Sequence, residues 1–168
     1  MHTAGFSNGA FLSYGIACRY PSLIAAAGTN AGGLSQSQFA ACQKGEGAVP
    51  IQSFNSLDDP AVLYNGTTEW VGQDAINGMW RHRNGCTEGV EEPHTTLETD
   101  TTTCLRWDCP LAPVEACSLE GIGHCWYGGR SGGFEKCIAR PGDADATGKM
   151  FSLWEELSQA CDIDVTRH

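Results

Sequence analysis

The stretch AGFSNGA, residues 4–10, places Ser7 two residues away from a glycine on each side. Glycine is destabilising inside a strand or helix, so Gly5 and Gly9 need a structural reason. In the Gly-x-Ser-x-Gly nucleophile elbow a strand ends, the chain turns sharply and a helix begins, with the serine hydroxyl exposed at the turn. Small flanking residues let strand and helix pass close together there. The alternative is a polar Asn8-Gly9 turn without chemistry.

The residues around Ser7 favour the elbow. Residues 1–6 are long enough to be the end of a strand. Residues 8–20 are apolar at helical spacing and nearly all round, which predicts a buried helix, and Pro21 marks its end. The sequence therefore predicts a strand, a turn at Ser7 and a helix.

Length and charge limit the class of protein. The chain has 168 residues, enough for one domain, and a formal net charge of −10. Nucleic acids and anionic membranes bind basic patches, so this charge argues against both as partners. No apolar run approaches the roughly 20 residues that span a bilayer.

Nine cysteines indicate disulfides and a secreted, extracellular protein. The N-terminus lacks the pattern of a signal peptide, which agrees with secretion only if the natural N-terminus is absent. The sequon Asn65-Gly66-Thr67 is weakly consistent with secretion. Structural zinc sites use closely spaced pairs such as Cys-x2-Cys, and the sequence has no Cys-x2-Cys pair, so no metal is expected at the cluster of Cys104, Cys109, Cys117, His124 and Cys125.

Strands that alternate with helices predict one α/β domain with a parallel sheet. Residues 35–47 are polar and are interpreted as a loop. Two β-rich stretches, 94–107 and 114–123, are expected to pair as a hairpin. The remaining predicted elements are strands within 23–33 and 48–56, a helix over 67–85 capped by Thr67 or Thr68 and ended at Gly85, and a closing helix over 143–161 capped by Asp145 or Thr147.

A serine nucleophile needs a base, and in α/β-hydrolases the base is a histidine late in the chain. His124 lies in EGIGHCWYGG, residues 120–129, directly after a predicted strand, where α/β sheets place their sites. A turn histidine without a catalytic role remains the alternative. The other histidines lie before the serine, beside arginines, in an acidic loop or at the end of the chain: His2, His82, His94 and His168.

An acid must hold the base in the correct tautomer. It should follow the predicted strand at 48–56, and both Asp58 and Asp59 do so. Spacing alone does not choose between them.

These residues resemble the secreted polyhydroxybutyrate depolymerase and feruloyl esterase family of α/β-hydrolases. The family's acid-loop pattern, H-G-T-x-D-P-x-V-P-Y-x-G, aligns on Pro60, Tyr64 and Gly66 and places the catalytic acid on Asp59. The order and rough spacing agree along nearly the whole chain. Five segments carry the resemblance: GFSNGA (5–10), NSLDDPAVLYNG (55–66), MWRHRNGC (79–86), GIGHCWYGG (121–129) and DADAT (143–147).

The departures of the chain from the family pattern spare the triad. Asn55-Ser56 stands where the family has His-Gly, and Leu63 and Tyr127 each stand where it has Pro. The family also has several strands before the elbow. The resemblance therefore implies the C-terminal portion of an α/β-hydrolase fold, residues 1–168 being one domain whose N-terminal half is missing, with residues 1–6 as an exposed apolar edge strand.

The resemblance implies hydrolysis of carboxylic esters without a cofactor, with Ser7 as nucleophile, His124 as base and Asp59 as orienting acid. The substrate would be a feruloyl or acetyl ester of plant polysaccharide, or polyhydroxyalkanoate. The backbone N–H of Asn8 would stabilise the oxyanion, with a second donor from the missing region. Trp126 is equally interpretable as a substrate contact or as a core residue.

The resemblance also implies a disulfide between Cys86 and Cys109. Two further pairs are expected to link predicted elements, and three cysteines are left without an assignment. The further pairs are Cys18–Cys42 and Cys104–Cys117, and the remainder are Cys125, Cys137 and Cys161.

Two other functions stay open at this point. A serine peptidase on the same fold would use the same triad, and ester and peptide substrates would separate the two. A non-catalytic, disulfide-rich secreted binding module derived from a hydrolase is the other, favoured by the absent oxyanion loop and opposed by the intact triad.

Overall fold

The structure is a computed structural model that describes residues 1–129 and 144–165, with side chains as far as residue 159. Its elements follow one another in an alternating order of strands and helices, broken by three consecutive strands. They are β1 (His2–Phe6), α1 (Asn8–Arg19), a 3-10 turn (Pro21–Leu23), β2 (Ala26–Asn30), α2 (Gln36–Gln43), β3 (Ile51–Ser56), α3 (Gln73–Arg83), β4 (His94–Glu98), β5 (Thr102–Trp107), β6 (Val114–Leu119) and α4 (Ala146–Val165).

Six strands form one mixed sheet in the order β1-β2-β3-β6-β5-β4. The first four are mutually parallel, while β5 and β4 run antiparallel to their neighbours. The α/β class and the mostly parallel sheet are thus confirmed, and the expected hairpin is the β5–β6 pair. β1 is the outer strand at one end of the described sheet, as predicted.

The stretch 94–107 contains two strands where the sequence analysis expected one. The Thr99 side-chain oxygen accepts hydrogen bonds from the N–H groups of Thr101 and Thr102, at 3.3 and 3.1 Å, and this turn separates β4 from β5. Threonine hydroxyls stabilise turns in this way. The run of threonines raised β propensity along the whole stretch and concealed the turn.

The interpretation of residues 35–47 as a loop is wrong, because α2 occupies Gln36–Gln43. Its start is a capping box: the Ser35 hydroxyl accepts from the Gln38 N–H, and the Gln38 side chain accepts from the Ser35 N–H. Ser-x-x-Gln is a recognised signal for a helix start. The helix lacks an apolar stripe that would indicate it, because Cys42 is the only residue that α2 buries.

Helix α3 begins at Gln73, later than predicted, with Gly72 rather than Thr67 or Thr68 at its N-cap. The Thr67 hydroxyl instead accepts from the N–H groups of Glu69 and Trp70, both at 3.1 Å, which closes a turn before the helix. The predicted end is confirmed, since α3 stops at Arg83 and Gly85 follows with φ +87°.

Both faces of the parallel part of the sheet are covered by helices. Ile51 and Phe54 are three residues apart on β3, so they point to opposite faces. Ile51 lies in a cluster with Tyr14 of α1 and Trp80 of α3, and Phe54 lies in a second cluster with Met150 of α4. The core therefore consists of two layers separated by the sheet.

Helix α1 is not buried all round, as the sequence analysis expected. Its inward residues, Ala10, Ser13, Tyr14 and Ala17, are buried, whereas Leu12 points outward and is mostly exposed. Apolar composition alone did not identify the outer face.

The three expected disulfides are confirmed: Cys18–Cys42, Cys86–Cys109 and Cys104–Cys117. They link α1 to α2, the end of α3 to the segment after β5, and β5 to β6. Of the remaining cysteines, Cys125 is buried, while Cys137 and the Cys161 side chain lie outside the described residues. In the described part of the chain, no helix has the length and apolarity that a membrane span requires.

Candidate active site

Ser7 occupies a sharp turn between β1 and α1. Its backbone has φ 53° and ψ −118°, and it is one of two described non-glycine residues with positive φ. Such a conformation is strained for a residue with a side chain and persists where the surroundings impose it. The Ser7 N–H donates to the Asn30 carbonyl oxygen of the adjacent β2 at 3.0 Å, which holds the turn against the sheet.

The two flanking glycines have different structural roles. A Cβ on Gly5 would lie 2.1 Å from the carbonyl carbon of Gly9, so only glycine permits the approach of β1 to α1. A Cβ on Gly9 would have no atom within 4 Å. The prediction that close packing requires both glycines therefore holds for Gly5 and is wrong for Gly9.

His124 is the histidine that meets the serine. Its Nε2 lies 3.0 Å from Ser7 Oγ, although 117 residues separate the two along the chain. The Phe6 ring packs at 4.9 Å from the imidazole, centroid to centroid. The His124 side chain is 20% exposed, so one side of the ring remains accessible from solvent.

Asp59, not Asp58, faces the imidazole. Asp59 Oδ2 lies 2.8 Å from His124 Nδ1, while Oδ1 accepts from the N–H groups of Ala61 and Val62 at 2.8 and 2.9 Å. The residue is only 2% exposed. Both carboxylate oxygens are thus paired, which fixes the acid in place and directs one oxygen at the histidine.

All three residues follow parallel strands at their carboxyl ends. Ser7 follows β1, Asp59 follows β3, and His124 lies in the loop after β6. Open α/β sheets place ligand sites at this edge. The arrangement allows a proton to pass between Ser7 Oγ and Nε2 while Asp59 holds the Nδ1–H.

Asn8 is the first residue of α1, directly after the serine. The first N–H groups of a helix have no partner within it, and they lie at the positive end of the helix dipole. The Asn8 N–H is therefore available for an anion that forms beside Ser7.

A cleft of about 750 Å³ opens beside Ser7 and Asn8. Its wall includes an aromatic pair that the sequence analysis missed, Phe11 and Trp70, whose ring centroids are 5.0 Å apart at 60°. Trp70 is 42% exposed, which is a large exposed fraction because tryptophan is highly buried on average. The only sequence signal is the position of Trp70 within the segment 67–85, which is predicted to be a helix. Apolar and polar side chains complete the wall, among them Val62, Leu63, Thr68 and Glu69.

Trp126 lies two residues after His124 and packs beside the core. Its indole N–H donates to the Thr147 hydroxyl at 2.9 Å, and its ring packs against the second core cluster. It is absent from the wall of this cleft. These contacts are those of a partly buried packing residue.

The cysteine-rich region does not offer thiolates. The one metal-like grouping among the described residues joins Cys104, Cys117 and Glu115. Cys104 and Cys117 are bonded to each other, so their sulfurs are not free ligands. Glu115 is instead paired with Lys149 at 2.9 Å and accepts from Gln52 at 2.6 Å.

Comparison of the sequence with protein-family models and with curated proteins found no match.

Proposed function

We propose that this chain is a carboxylic ester hydrolase of the polyhydroxybutyrate depolymerase and feruloyl esterase type, with Ser7, His124 and Asp59 as its triad. One observation carries the proposal: a continuous series of contacts from Ser7 Oγ to Nε2 at 3.0 Å and from Nδ1 to Asp59 Oδ2 at 2.8 Å. This series of contacts starts at Ser7, which lies in a strained turn and lines a cleft. Both features support the assignment of Ser7 as nucleophile.

The reaction proceeds in two steps. Ser7 Oγ attacks the ester carbonyl carbon while His124 Nε2 takes its proton, and the same proton then passes to the leaving alcohol. Water, deprotonated by His124 Nε2, then attacks the acyl carbon of the acyl-enzyme. The bond from that carbon to Ser7 Oγ breaks, the acid leaves, and the proton passes from Nε2 back to Ser7 Oγ. Asp59 accepts the Nδ1–H throughout and stabilises the imidazolium when it forms.

The negative charge on the carbonyl oxygen needs a preorganised donor. We assign this role to the Asn8 N–H, which lies at the start of α1 directly after Ser7. Removing one such donor commonly costs a factor of about 100 to 1,000 in kcat.

The cleft favours a neutral ester with an apolar or ring-bearing group. Phe11, Trp70, Val62 and Leu63 offer apolar contacts, whereas Glu69 at the wall disfavours a negatively charged group. Feruloyl and acetyl esters of plant polysaccharide, and polyhydroxyalkanoate, meet these conditions. Three disulfides fit action in an oxidising compartment, and we place the enzyme outside the cell.

A fluorophosphonate probe tests the nucleophile directly, since it reacts covalently with activated serines. We expect mass spectrometry to locate the label on Ser7, no label in Ser7→Ala, and normal labelling in Ser22→Ala, which removes an exposed serine of the 3-10 turn. Labelling at another serine, or none in the wild-type chain, would refute the proposal.

Replacing Trp70 by alanine tests the cleft. We expect KM for an aromatic ester to rise about 5- to 10-fold, the equivalent of one lost aromatic contact, with KM for a short acetyl ester little changed. Steady-state kinetics on the two esters measure this difference. Phe151→Ala, which removes an exposed aromatic ring from α4, is the matched control and should change neither value. Equal effects of Trp70→Ala on both esters would show that the cleft does not bind the aromatic group.

A further inference from the structure

The peptide of Gly123 directly precedes the proposed base in the loop after β6. Gly123 has φ +68°, a conformation that side chains rarely adopt. A glycine gives the backbone freedom to turn, and the direction of that turn sets where the next residue lies. Accurate placement of His124 therefore requires contacts that hold this peptide.

The N–H of Gly123 has two acceptors on the acid loop. It donates to Ser56 Oγ at 3.2 Å and to Asp58 Oδ1 at 3.3 Å. Ser56 Oγ in turn lies 2.5 Å from Asp58 Oδ1 and donates to it. These contacts join the base loop to Ser56, the last residue of β3, and to Asp58, which directly precedes Asp59.

The Asp58 carboxylate is charged in this arrangement. The hydrogen bond from the Ser56 hydroxyl, aided by the Gly123 N–H, lowers the pKa of Asp58 below its ordinary value. Hydrogen bonds to an ionised acceptor are roughly twice as strong as neutral ones. Asp58 therefore supplies a strong acceptor without touching the imidazole.

The carbonyl oxygen of Gly123 is held from the other side. The Tyr127 hydroxyl donates to it at 3.3 Å. Tyr127 is 1% exposed, and its burial, followed by the charge of Asp59, raises its pKa. The hydroxyl therefore keeps its proton and remains a donor at all working pH values.

Two of these residues are places where the chain departs from the pattern it resembles. Ser56 stands at a glycine position and Tyr127 at a proline position. Neither glycine nor proline has a side chain that can donate or accept a hydrogen bond. The departures lie 71 residues apart in sequence, yet both reach the same peptide.

We propose that Ser56, Asp58 and Tyr127 are positioning residues that hold the Gly123 peptide, and through it the His124 imidazole, at the distance that proton transfer from Ser7 requires. This role rests on the proposed function of His124 as base. A misplacement of about 1 Å can cost a factor of about 100 in rate, so the contacts affect kcat rather than substrate binding.

Asp58→Ala and Asp58→Asn, compared by steady-state ester hydrolysis, separate positioning from mere folding. We expect Asp58→Ala to lower kcat about 10-fold and to leave KM unchanged. This loss of kcat is smaller than the factor of about 100 that a misplacement of about 1 Å can cost. Asp58→Asn keeps an acceptor oxygen and should restore most of that kcat. Leu57→Ala, an exposed neighbour on the same loop, should match the wild type. Equal kcat in Asp58→Ala and wild type, or equal losses in Asp58→Ala and Leu57→Ala, would overturn the proposal.

Tyr127→Phe tests the other contact with almost no change of shape. We expect it to lower kcat in the same direction as Asp58→Ala and to leave the unfolding midpoint close to that of the wild type. An unchanged kcat would remove Tyr127 from the set of positioning residues.

Amide hydrogen exchange measures the stability of the same contacts without requiring ester hydrolysis. Exchange of the segment that contains Gly123 should accelerate in Asp58→Ala and stay at the wild-type rate in Leu57→Ala; unchanged exchange in both would overturn the proposal.

Fluorophosphonate labelling of Ser7 in the wild-type chain distinguishes a failure of the proposed triad from a failure of the positioning role. An unlabelled wild type refutes the triad and the positioning role with it, whereas a labelled wild type with normal exchange in Asp58→Ala refutes the positioning role alone.

Discussion

Replacing His124 by alanine is expected to lower kcat for ester hydrolysis by a factor of about 10⁴ to 10⁶, a loss as large as that expected for Ser7→Ala. Without Nε2 at 3.0 Å, Ser7 Oγ has no acceptor for its proton and is a weak nucleophile. KM should change little, because the wall of the cleft does not include His124. Steady-state kinetics on a chromogenic ester measure both constants.

The proposed triad also predicts how the losses of kcat combine. Residues that act as a unit are far from additive, so Ser7→Ala with His124→Ala should cost about as much as either change alone. His82→Ala, which removes an exposed histidine late in α3, is the matched control and should leave kcat unchanged. A double variant whose loss equals the product of the two single losses would contradict a common role for Ser7 and His124.

Replacing Gly5 by alanine is expected to destabilise the fold by about 4 kcal/mol or more, the range reached only by severe structural conflicts. The new Cβ would lie 2.1 and 2.2 Å from the carbonyl carbon and oxygen of Gly9, and 2.7 Å from the Ala10 nitrogen. All three atoms are backbone, so no side-chain rotation relieves the contact. The Ser7 turn would have to open, and activity would be lost with it.

Gly9→Ala is the matched control for Gly5→Ala. The added methyl group meets no atom within 4 Å, and alanine favours a helix over glycine by up to about 1 kcal/mol. Urea unfolding followed by circular dichroism should show a lower midpoint for Gly5→Ala and an equal or higher midpoint for Gly9→Ala. Equal midpoints would show that β1 and α1 do not approach as closely as described.

Local sequence signals predicted the elements that carry the site. The glycine spacing around Ser7 predicted the strand–turn–helix unit, and the run at 48–56 predicted β3. Glycines on both sides of His124 predicted a loop after a strand. These signals are local because each reflects what a few neighbouring residues allow the backbone to do.

The errors also have local causes. Helix α2 was missed because its capping box, Ser35 with Gln38, lies in a polar stretch without an apolar stripe. The start of α3 was placed too early because the Thr67 hydroxyl closes a turn instead of capping the helix. In each case a side-chain hydrogen bond, and not hydropathy, determined the backbone conformation.

By itself the sequence determined the α/β class, the turn at Ser7 and which residue types could perform the chemistry. Spacing left Asp58 and Asp59 open, the family resemblance favoured Asp59, and the tertiary structure brings Asp59 against the imidazole. Only the tertiary structure decided that Phe11 meets Trp70 at the cleft and that Ser56 and Tyr127 contact one peptide. The reason is physical. Backbone conformation depends on neighbours along the chain, whereas a contact between residues 65 or 117 positions apart depends on strand order, register and packing, which no short stretch of sequence contains.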